Sequence, residues 1–441
     1  MVNIFGTAGV RAQVGTAPLN LSQLIQLGQA VGQFIIQKYG PHAKILIAGD
    51  TRISSDWIKA SFKAGLLQLP VIIVNGQILS TPAIYNLVHR QKRYQAGIMI
   101  TASHNPYQDN GIKIIDQEHG DLSLIEELQI SEFFYASAIT PEYNHLGQVL
   151  KADADHPLSN YLDQILTQIK FQTTPKELII WDCANGATSQ IIPELSRRLN
   201  LNYLVINAQP NGQNINHNCG STHPSSLMSA VKEHHAKLGF ALDGDGDRIT
   251  VVTANGQIKD GDDLIAFLST NPDYQDEAKL IGTIVSNYGL ELWLNNQSKQ
   301  LIRSNVGEKH IAIELTKHQA KIGGEPSGHL ILKDLASSSD GILVALKVLE
   351  TASLTGNWSL QTFTRTPTLS ENIAIKTKLD LTNPQLANLI KNYHDQIFPG
   401  RLVIRYSGTE NYLRILLEGP DQTKLAVVLA QIKNELVPLL S

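Results

Sequence analysis

Gly97-Ile98-Met99-Ile100-Thr101-Ala102-Ser103-His104-Asn105-Pro106 sets an uninterrupted apolar run directly before a polar turn. An unbroken run, rather than an alternating one, predicts a strand buried on both faces of a sheet. Asn105-Pro106 brings the turn chemistry that ends it. A strand that delivers a serine into a loop is how α/β proteins present a nucleophile, which makes Ser103 a candidate. His104, next in the chain, is poorly placed to be the base of a hydrolase triad, whose members come from separate segments. The Gly-x-Ser-x-Gly elbow is absent too, because Thr101 and Asn105 flank the serine at two residues' distance. Chemistry on phosphate is the reading that remains.

Upstream of this strand the pattern alternates between helix and strand. Leu24, Leu27, Val31, Phe34 and Ile35 recur at helical spacing, predicting a helix from about Ser22 to Lys38 that stops at Gly40-Pro41. A strand at Lys44–Ala48, a helix at Ser55–Leu67, a strand at Val71–Val74 and a helix at Ala83–His89 follow. This alternation is that of βαβ units with a mostly parallel sheet. Phe5 to Arg11 precedes any periodicity and reads as a turn, and residues 137–155 are polar and patternless, as in a linker. The same idiom then repeats twice before a shorter tail. The expected fold is α/β: three tandem mixed α/β sheet domains (1–151, 152–253, 254–364) and a smaller C-terminal α+β domain (365–441) around a central cleft.

Whole-chain properties narrow the function. At 441 residues the chain allows three domains or four smaller ones, at roughly 150 residues each. A net charge of -4 with interspersed signs argues against a nucleic-acid surface. The longest apolar stretch, near Gly65–Val74, is broken by Gln68 and Pro70, so no membrane span is expected. Two cysteines, Cys183 and Cys219, make no disulfide framework, and no secretory leader is visible at the start. A cytoplasmic protein is expected.

Three further loops carry chemistry. Asp243, Asp245 and Asp247 alternate with glycines, so the backbone can curl while three carboxylates converge; a hard cation neutralises such a cluster. An EF-hand does not fit, since the places that need Gly and Glu hold Arg248 and Ala254. Mg²⁺ at a phosphoryl site does. Arg405-Tyr406-Ser407-Gly408-Thr409-Glu410-Asn411 with Arg414 joins two arginines, two hydroxyls and a glycine baring its backbone N–H, a set suited to a phosphate dianion. Gly324-Glu325-Pro326-Ser327-Gly328-His329 offers a carboxylate and a hydroxyl suited to sugar hydroxyls and a histidine able to move a proton, although a plain β-turn fits the same letters. Gly49-Asp50-Thr51-Arg52 and Asn110–Lys113 say little alone, and Asp182, Asn185 and Gly186 read as shapers of a strand-to-helix turn around a core Cys183.

Taken in chain order, Ser103, Asp243–Arg248, Gly324–His329 and Arg405–Arg414, the four loops resemble those of the α-D-phosphohexomutase family over essentially the whole chain. Phe5-Gly6-Thr7, Gly9-Val10-Arg11, Asp182–Thr188, Pro210–Asn216 and Ser407-Gly408-Thr409 are similar to the members acting on glucosamine phosphates. The resemblance implies interconversion of glucosamine 6-phosphate and glucosamine 1-phosphate through a phosphoserine at Ser103 and a sugar bisphosphate, feeding UDP-N-acetylglucosamine synthesis. Action on glucose or mannose phosphates, or a non-catalytic sugar-phosphate-binding protein, are the alternatives. It further implies one Mg²⁺ per active site, held by Asp243, Asp245, Asp247 and the phosphoserine. Arg11 and Arg248 would stabilise charge, and Lys113 and His329 would serve proton transfer. Gly324, Glu325 and Ser327 would bind the sugar. Arg405, Ser407, Gly408, Thr409 and Arg414 would hold the phosphate that is not reacting. The implied partner is a small sugar phosphate, with oligomeric state open. Ala8, Pro326 and Asn411 depart from the family pattern without removing a nucleophile, metal ligand or main phosphate contact.

Overall fold

In the computed structural model, residues 3–6, 9–136, 140, 143–150, 156–407 and 411–440 are described. Four sheets follow one another along the chain. The first contains β1 (Val10–Gln13), β2 (Lys44–Gly49), β3 (Ile72–Ile78), β4 (Ala96–Ile100), β5 (Asp109–Asp116), β6 (Gly120–Asp121) and β7 (Gln148–Leu150). Its order is β1-β5-β4-β2-β3-β7, with β6 added on β5. The second contains β8 (Ile179–Asp182), β9 (Tyr203–Ile206), β10 (Leu238–Leu242), β11 (Ile249–Thr253) and β12 (Ile258–Lys259), in the order β12-β11-β10-β8-β9. In the third, β13 (Lys279–Thr283), β14 (Gln300–Ser304), β15 (Ile322–Gly324) and β16 (Leu330–Leu332) are ordered β14-β13-β15-β16. The tail holds β17 (Thr368–Ala374), β18 (Arg401–Tyr406) and β19 (Tyr412–Glu418), with β19 central.

The strand before Ser103 is buried at all five positions. It pairs parallel with β2 and antiparallel with β5. The reversal has a simple cause: residues 101–108 are too few to make the crossover that parallel pairing needs. The same holds for the other three loops. Residues 243–248 reverse β10 into β11, 325–329 reverse β15 into β16, and 407–411 reverse β18 into β19, all antiparallel. Each candidate loop is thus a short reversal at one end of its own sheet.

Differences from the sequence expectation are local. Val10–Gln13 is a strand rather than a turn, because β5 offers it a ladder from Val10↔Ile112 to Gln13↔Asp109. Gln148–Leu150, inside the expected linker, pairs with β3; residues 137–139, 141–142 and 151–155 of that linker lie outside the described residues. The helix expected at Ala83–His89 is α-helical over Thr81–Tyr85 and continues as a π-turn at Asn86–Arg90. Edge strands of three or four residues take their conformation from a partner, which no single-segment pattern records.

One apolar cluster runs from Leu46 and Met99 of the first sheet through Trp181 and Phe240 of the second to Leu280 and Leu346 of the third unit. The tail packs its own cluster, with Leu413, Ile415 and Leu417 of β19 against Leu386, Leu425 and Val428. Arg401 joins this tail to the third unit, pairing with buried Glu418 at 2.5 Å and donating to the carbonyls of Ile284 and Ser286 at 2.8 Å. Among the described residues no helix is long and apolar enough to cross a membrane.

Candidate active site

Ser103 adopts φ +53°, a left-handed conformation that a side chain rarely takes and that tends to mark functional turns. The strain is held from below. Arg52 and Asp50 form a fully buried ion pair at 2.9 Å. The Arg52 guanidinium donates to the carbonyls of Ser103 and Asn105 at 2.8 Å, of Asp109 at 3.1 Å, and of Pro106. Asp50 in turn accepts from Thr101 Oγ1 at 2.7 Å, and that same oxygen accepts from the Ser103 N–H at 2.9 Å. Asn216, from the second unit, also donates to the Ser103 carbonyl at 2.9 Å. Gly49–Arg52 and Asn216, uninformative as sequence, are therefore the frame of the serine loop.

The Ser103 hydroxyl donates to Asp243 Oδ2 at 2.7 Å. Asp243, Asp245 and Asp247 are all buried, each offering an oxygen within 4.8 Å of the others. Glycines allow the curl: a Cβ on Gly244 would sit 2.6 Å from the Ser103 carbonyl, and one on Gly186 would sit 2.4 Å from the carbonyl of Gly244. Burial, then the charges of Asp247 and Asp245, push the Asp243 carboxyl well up. Asp247 goes the other way, because Lys113 and His329 outweigh its burial. Asp245 Oδ2 accepts from Thr81 Oγ1 at 2.6 Å and Lys113 Nζ at 2.8 Å, while its Oδ1 is buried with no hydrogen-bond partner among the described residues. An orphaned carboxylate oxygen beside two further carboxylates is a donor set of hard oxygens, and it fits Mg²⁺.

Lys113 projects from β5 and bridges Asp245 and Asp247 at 2.8 and 2.9 Å, which raises its pKa despite burial. The loop at Glu325 docks onto the aspartate loop through the Ile249 N–H, which donates to the Gly328 carbonyl at 3.1 Å. His329 reaches Glu325 through Nδ1 at 2.8 Å and Asp247 through Nε2 at 3.2 Å. Burial opposes its charge, but the two carboxylates prevail and lift it to about 10. Glu325 falls to about 2, its burial outweighed by His329. His104, 3.4 Å from the Ser103 hydroxyl, is lowered to about 4 by burial and by Arg248 and Arg11. It stays neutral near pH 7, and a pKa that low makes it a weak base.

Ser103, Arg11, Lys113, Asp247, Arg248, Glu325 and His329 line one cavity of about 350 Å³. Arg11 Nε is buried there without a hydrogen-bond partner among the described residues. Gly324 is buried in β15, and exposed Ser327 turns its hydroxyl onto Glu325 at 2.6 Å; neither lines this cavity. The tail's residues form a separate group. Arg405 and Arg414 face each other across β18 and β19, Arg414 donates to Ser407 Oγ at 3.2 Å, and burial with the Arg414 charge lowers the Arg405 pKa. Gly408 and Thr409, like Thr7 and Ala8, lie outside the described residues. Sequence reasoning missed Glu308 and Lys309, which line the cavity from the start of the helix Glu308–His318. Gly307, at φ +121° just before that helix, was the available signal.

Four domain families match the chain in order. They are phosphoglucomutase/phosphomannomutase alpha/beta/alpha domain I over residues 2–138, domain II over 159–256, domain III over 260–368, and the C-terminal domain over 399–435. A phosphoglucosamine mutase of Syntrophotalea carbinolica is 33% identical, covering 98% of this chain and 96% of that one. One from Pseudomonas fluorescens is 35% identical, covering 96% and 95%. Among solved structures, a phosphoglucomutase/phosphomannomutase family protein from Burkholderia thailandensis superposes with a TM-score of 0.81 at 20% identity, covering 98% and 96% of the two chains. An Aspergillus fumigatus N-acetylphosphoglucosamine mutase gives 0.66 at 15% identity, over 99% and 96%. The chain belongs to the α-D-phosphohexomutase family, alongside the bacterial phosphoglucosamine mutases, and is an enzyme of that isomerase class.

Proposed function

We propose that the protein interconverts glucosamine 6-phosphate and glucosamine 1-phosphate, with Ser103 carrying the transferred phosphoryl group. The observation that carries the phosphoryl chemistry is the Ser103 hydroxyl seated on Asp243 beside a cavity walled by Arg11, Lys113 and Arg248. The names of the relatives at 33–35% identity support the amino sugar.

Phosphoryl transfer asks little covalent work of a protein and much positioning and charge stabilisation. Ser103 Oγ, strained and aimed into the cavity, passes its phosphoryl group to the sugar's free oxygen; the bisphosphate turns, and the other phosphate returns to Ser103. Arg11 and Arg248 neutralise the equatorial oxygens. Lys113 Nζ and His329 Nε2, which line the same cavity as Ser103, serve proton transfer. Glu325 binds the sugar hydroxyls from the cavity wall, and Ser327 supports it by donating to its carboxylate at 2.6 Å. Arg405, Ser407 and Arg414, with Gly408 and Thr409, hold the phosphate at rest.

Asp243, Asp245 and Asp247, with the phosphate on Ser103, would hold one Mg²⁺, whose charge supplies stabilisation for the transfer. The Aspergillus fumigatus relative was solved in complex with GlcNAc-6P and magnesium. A cytoplasmic setting suits the two buried free thiols, Cys183 and Cys219. Turnover on glucosamine, glucose and mannose 6-phosphates decides the sugar: the first is expected to be preferred, and a preference for either other sugar overturns the assignment.

A further inference from the structure

We propose that Glu308 selects the amino sugar, its carboxylate pairing with a protonated amine on the substrate. The inference rests on the glucosamine assignment and adds the group that reads the amine. Five carboxylates line the cavity: Asp121, Glu127, Asp247, Glu308 and Glu325. Four are answered within the protein. Asp121 accepts from the Tyr85 hydroxyl, and Glu127 pairs with Lys309 at 3.0 Å. Asp247 meets Lys113 at 2.9 Å and His329 at 3.2 Å, and Glu325 meets His329 at 2.8 Å.

Glu308 differs. Its Oε1 accepts the Ser339 N–H at 2.6 Å, and among the described residues it has no ion-pair partner. His329 lies within 4.8 Å, but its two nitrogens already engage Glu325 and Asp247. Burial and the neighbouring Asp247 and Asp121 disfavour the charged form of Glu308 in the free cavity, and a cation arriving with the ligand favours it. An amino sugar phosphate brings one.

Placement agrees with this role. Glu308 opens its helix directly after Gly307, whose N–H donates to Glu325 Oε2 at 3.2 Å. The unanswered acid is therefore tethered to the loop assigned to the sugar hydroxyls. A sugar with a hydroxyl where the amine stands would leave the carboxylate without its cation, and sites built around a polar partner discriminate strongly against ligands that lack it.

The test measures kcat/KM of the wild type and Glu308→Gln with glucosamine 6-phosphate and glucose 6-phosphate. The substitution is expected to lower the glucosamine-to-glucose ratio by about tenfold or more. An unchanged ratio, or an equal fall on both substrates, overturns the inference. The wild-type ratio tests the underlying assignment separately, since an enzyme preferring glucose 6-phosphate fails before any variant is made. Glu308 would instead be a metal ligand, with Asp247 and His329, if Glu308→Gln raised the Mg²⁺ concentration needed for half-maximal activity; an unchanged requirement is expected. Should the Gln variant not fold, Glu308→Asp keeps the charge on a shorter arm and is expected to lower the ratio by a smaller factor, with no change again overturning the inference.

Discussion

The Ser103 hydroxyl donates to Asp243 Oδ2 at 2.7 Å across 140 residues of sequence, so the reversal of one sheet is bonded to the reversal of another. Ser103→Ala removes the attachment point while leaving the loop's carbonyl contacts to Arg52 and Asn216 in place. Turnover is expected to fall by about a thousandfold or more, with the thermal midpoint little changed. Intact-mass measurement after incubation with glucose 1,6-bisphosphate is expected to find one added phosphoryl group on the wild type and none on the variant. A wild type that never carries phosphate overturns the carrier role.

Three buried carboxylates repel one another without a cation. Mg²⁺ is therefore expected to raise the unfolding temperature with concentration, as any ligand of the native state does. Asp245→Asn reduces the charge at the oxygen that has no hydrogen-bond partner among the described residues, and is expected to blunt both this shift and the activity. A titration of melting temperature against MgCl₂ reads the shift and a turnover assay the activity; an equal shift in the two proteins would show the ion binding elsewhere.

Arg52 is buried, paired with Asp50, and shared among the carbonyls of Ser103, Asn105, Pro106 and Asp109. Arg52→Ala leaves Asp50 as an uncompensated charge, a loss of about 3–5 kcal/mol. Unfolding is expected at markedly lower denaturant concentration, and turnover to fall although Arg52 is not among the residues lining the cavity. Wild-type stability in this variant would show the ion pair to be dispensable.

Asp340 caps the helix Gly341–Thr355, accepting from Ile342, Leu343 and the Tyr161 hydroxyl, and burial raises its pKa to about 6. A carboxyl raised in the folded state contributes stability that is full below its unfolded value, near pH 4, and is lost as pH rises through about 6. Asn keeps the cap without the charge. The melting temperature of Asp340→Asn relative to wild type is expected to rise by a few degrees between pH 4.5 and 7.5; a flat difference would show the group to be ionised throughout.

Arg405 and Arg414 are like charges directly opposite on paired strands, an arrangement that weakens a sheet by a few tenths to about 1 kcal/mol. Arg405→Ala is expected to hold or raise the melting temperature while lowering kcat/KM by about a hundredfold through lost phosphate contacts. A parallel loss of stability would mark Arg405 as structural.

Much of this was legible before any coordinates. The run at Gly97–Ile100, the alternating aspartates and the paired arginines each state their chemistry within a few residues; in the structure the run is a buried strand and the aspartates follow directly on another. What stayed hidden is carried by distance in the chain. Arg52 matters because of carbonyls some fifty residues away, Asn216 because it reaches into the first unit's loop, and Glu308 because of what its neighbours have already bonded. The strand Val10–Gln13 exists because β5 pairs with it. No local spacing encodes a partner's needs.

Ser103's carbonyl receives Arg52 from its own unit and Asn216 from the next. Moorings on two sides turn the serine into an anvil. In the proposed cycle the freight would then do the travelling: between the two transfers the sugar bisphosphate would reverse end for end, while the residue that struck the first blow waited in place to receive the second.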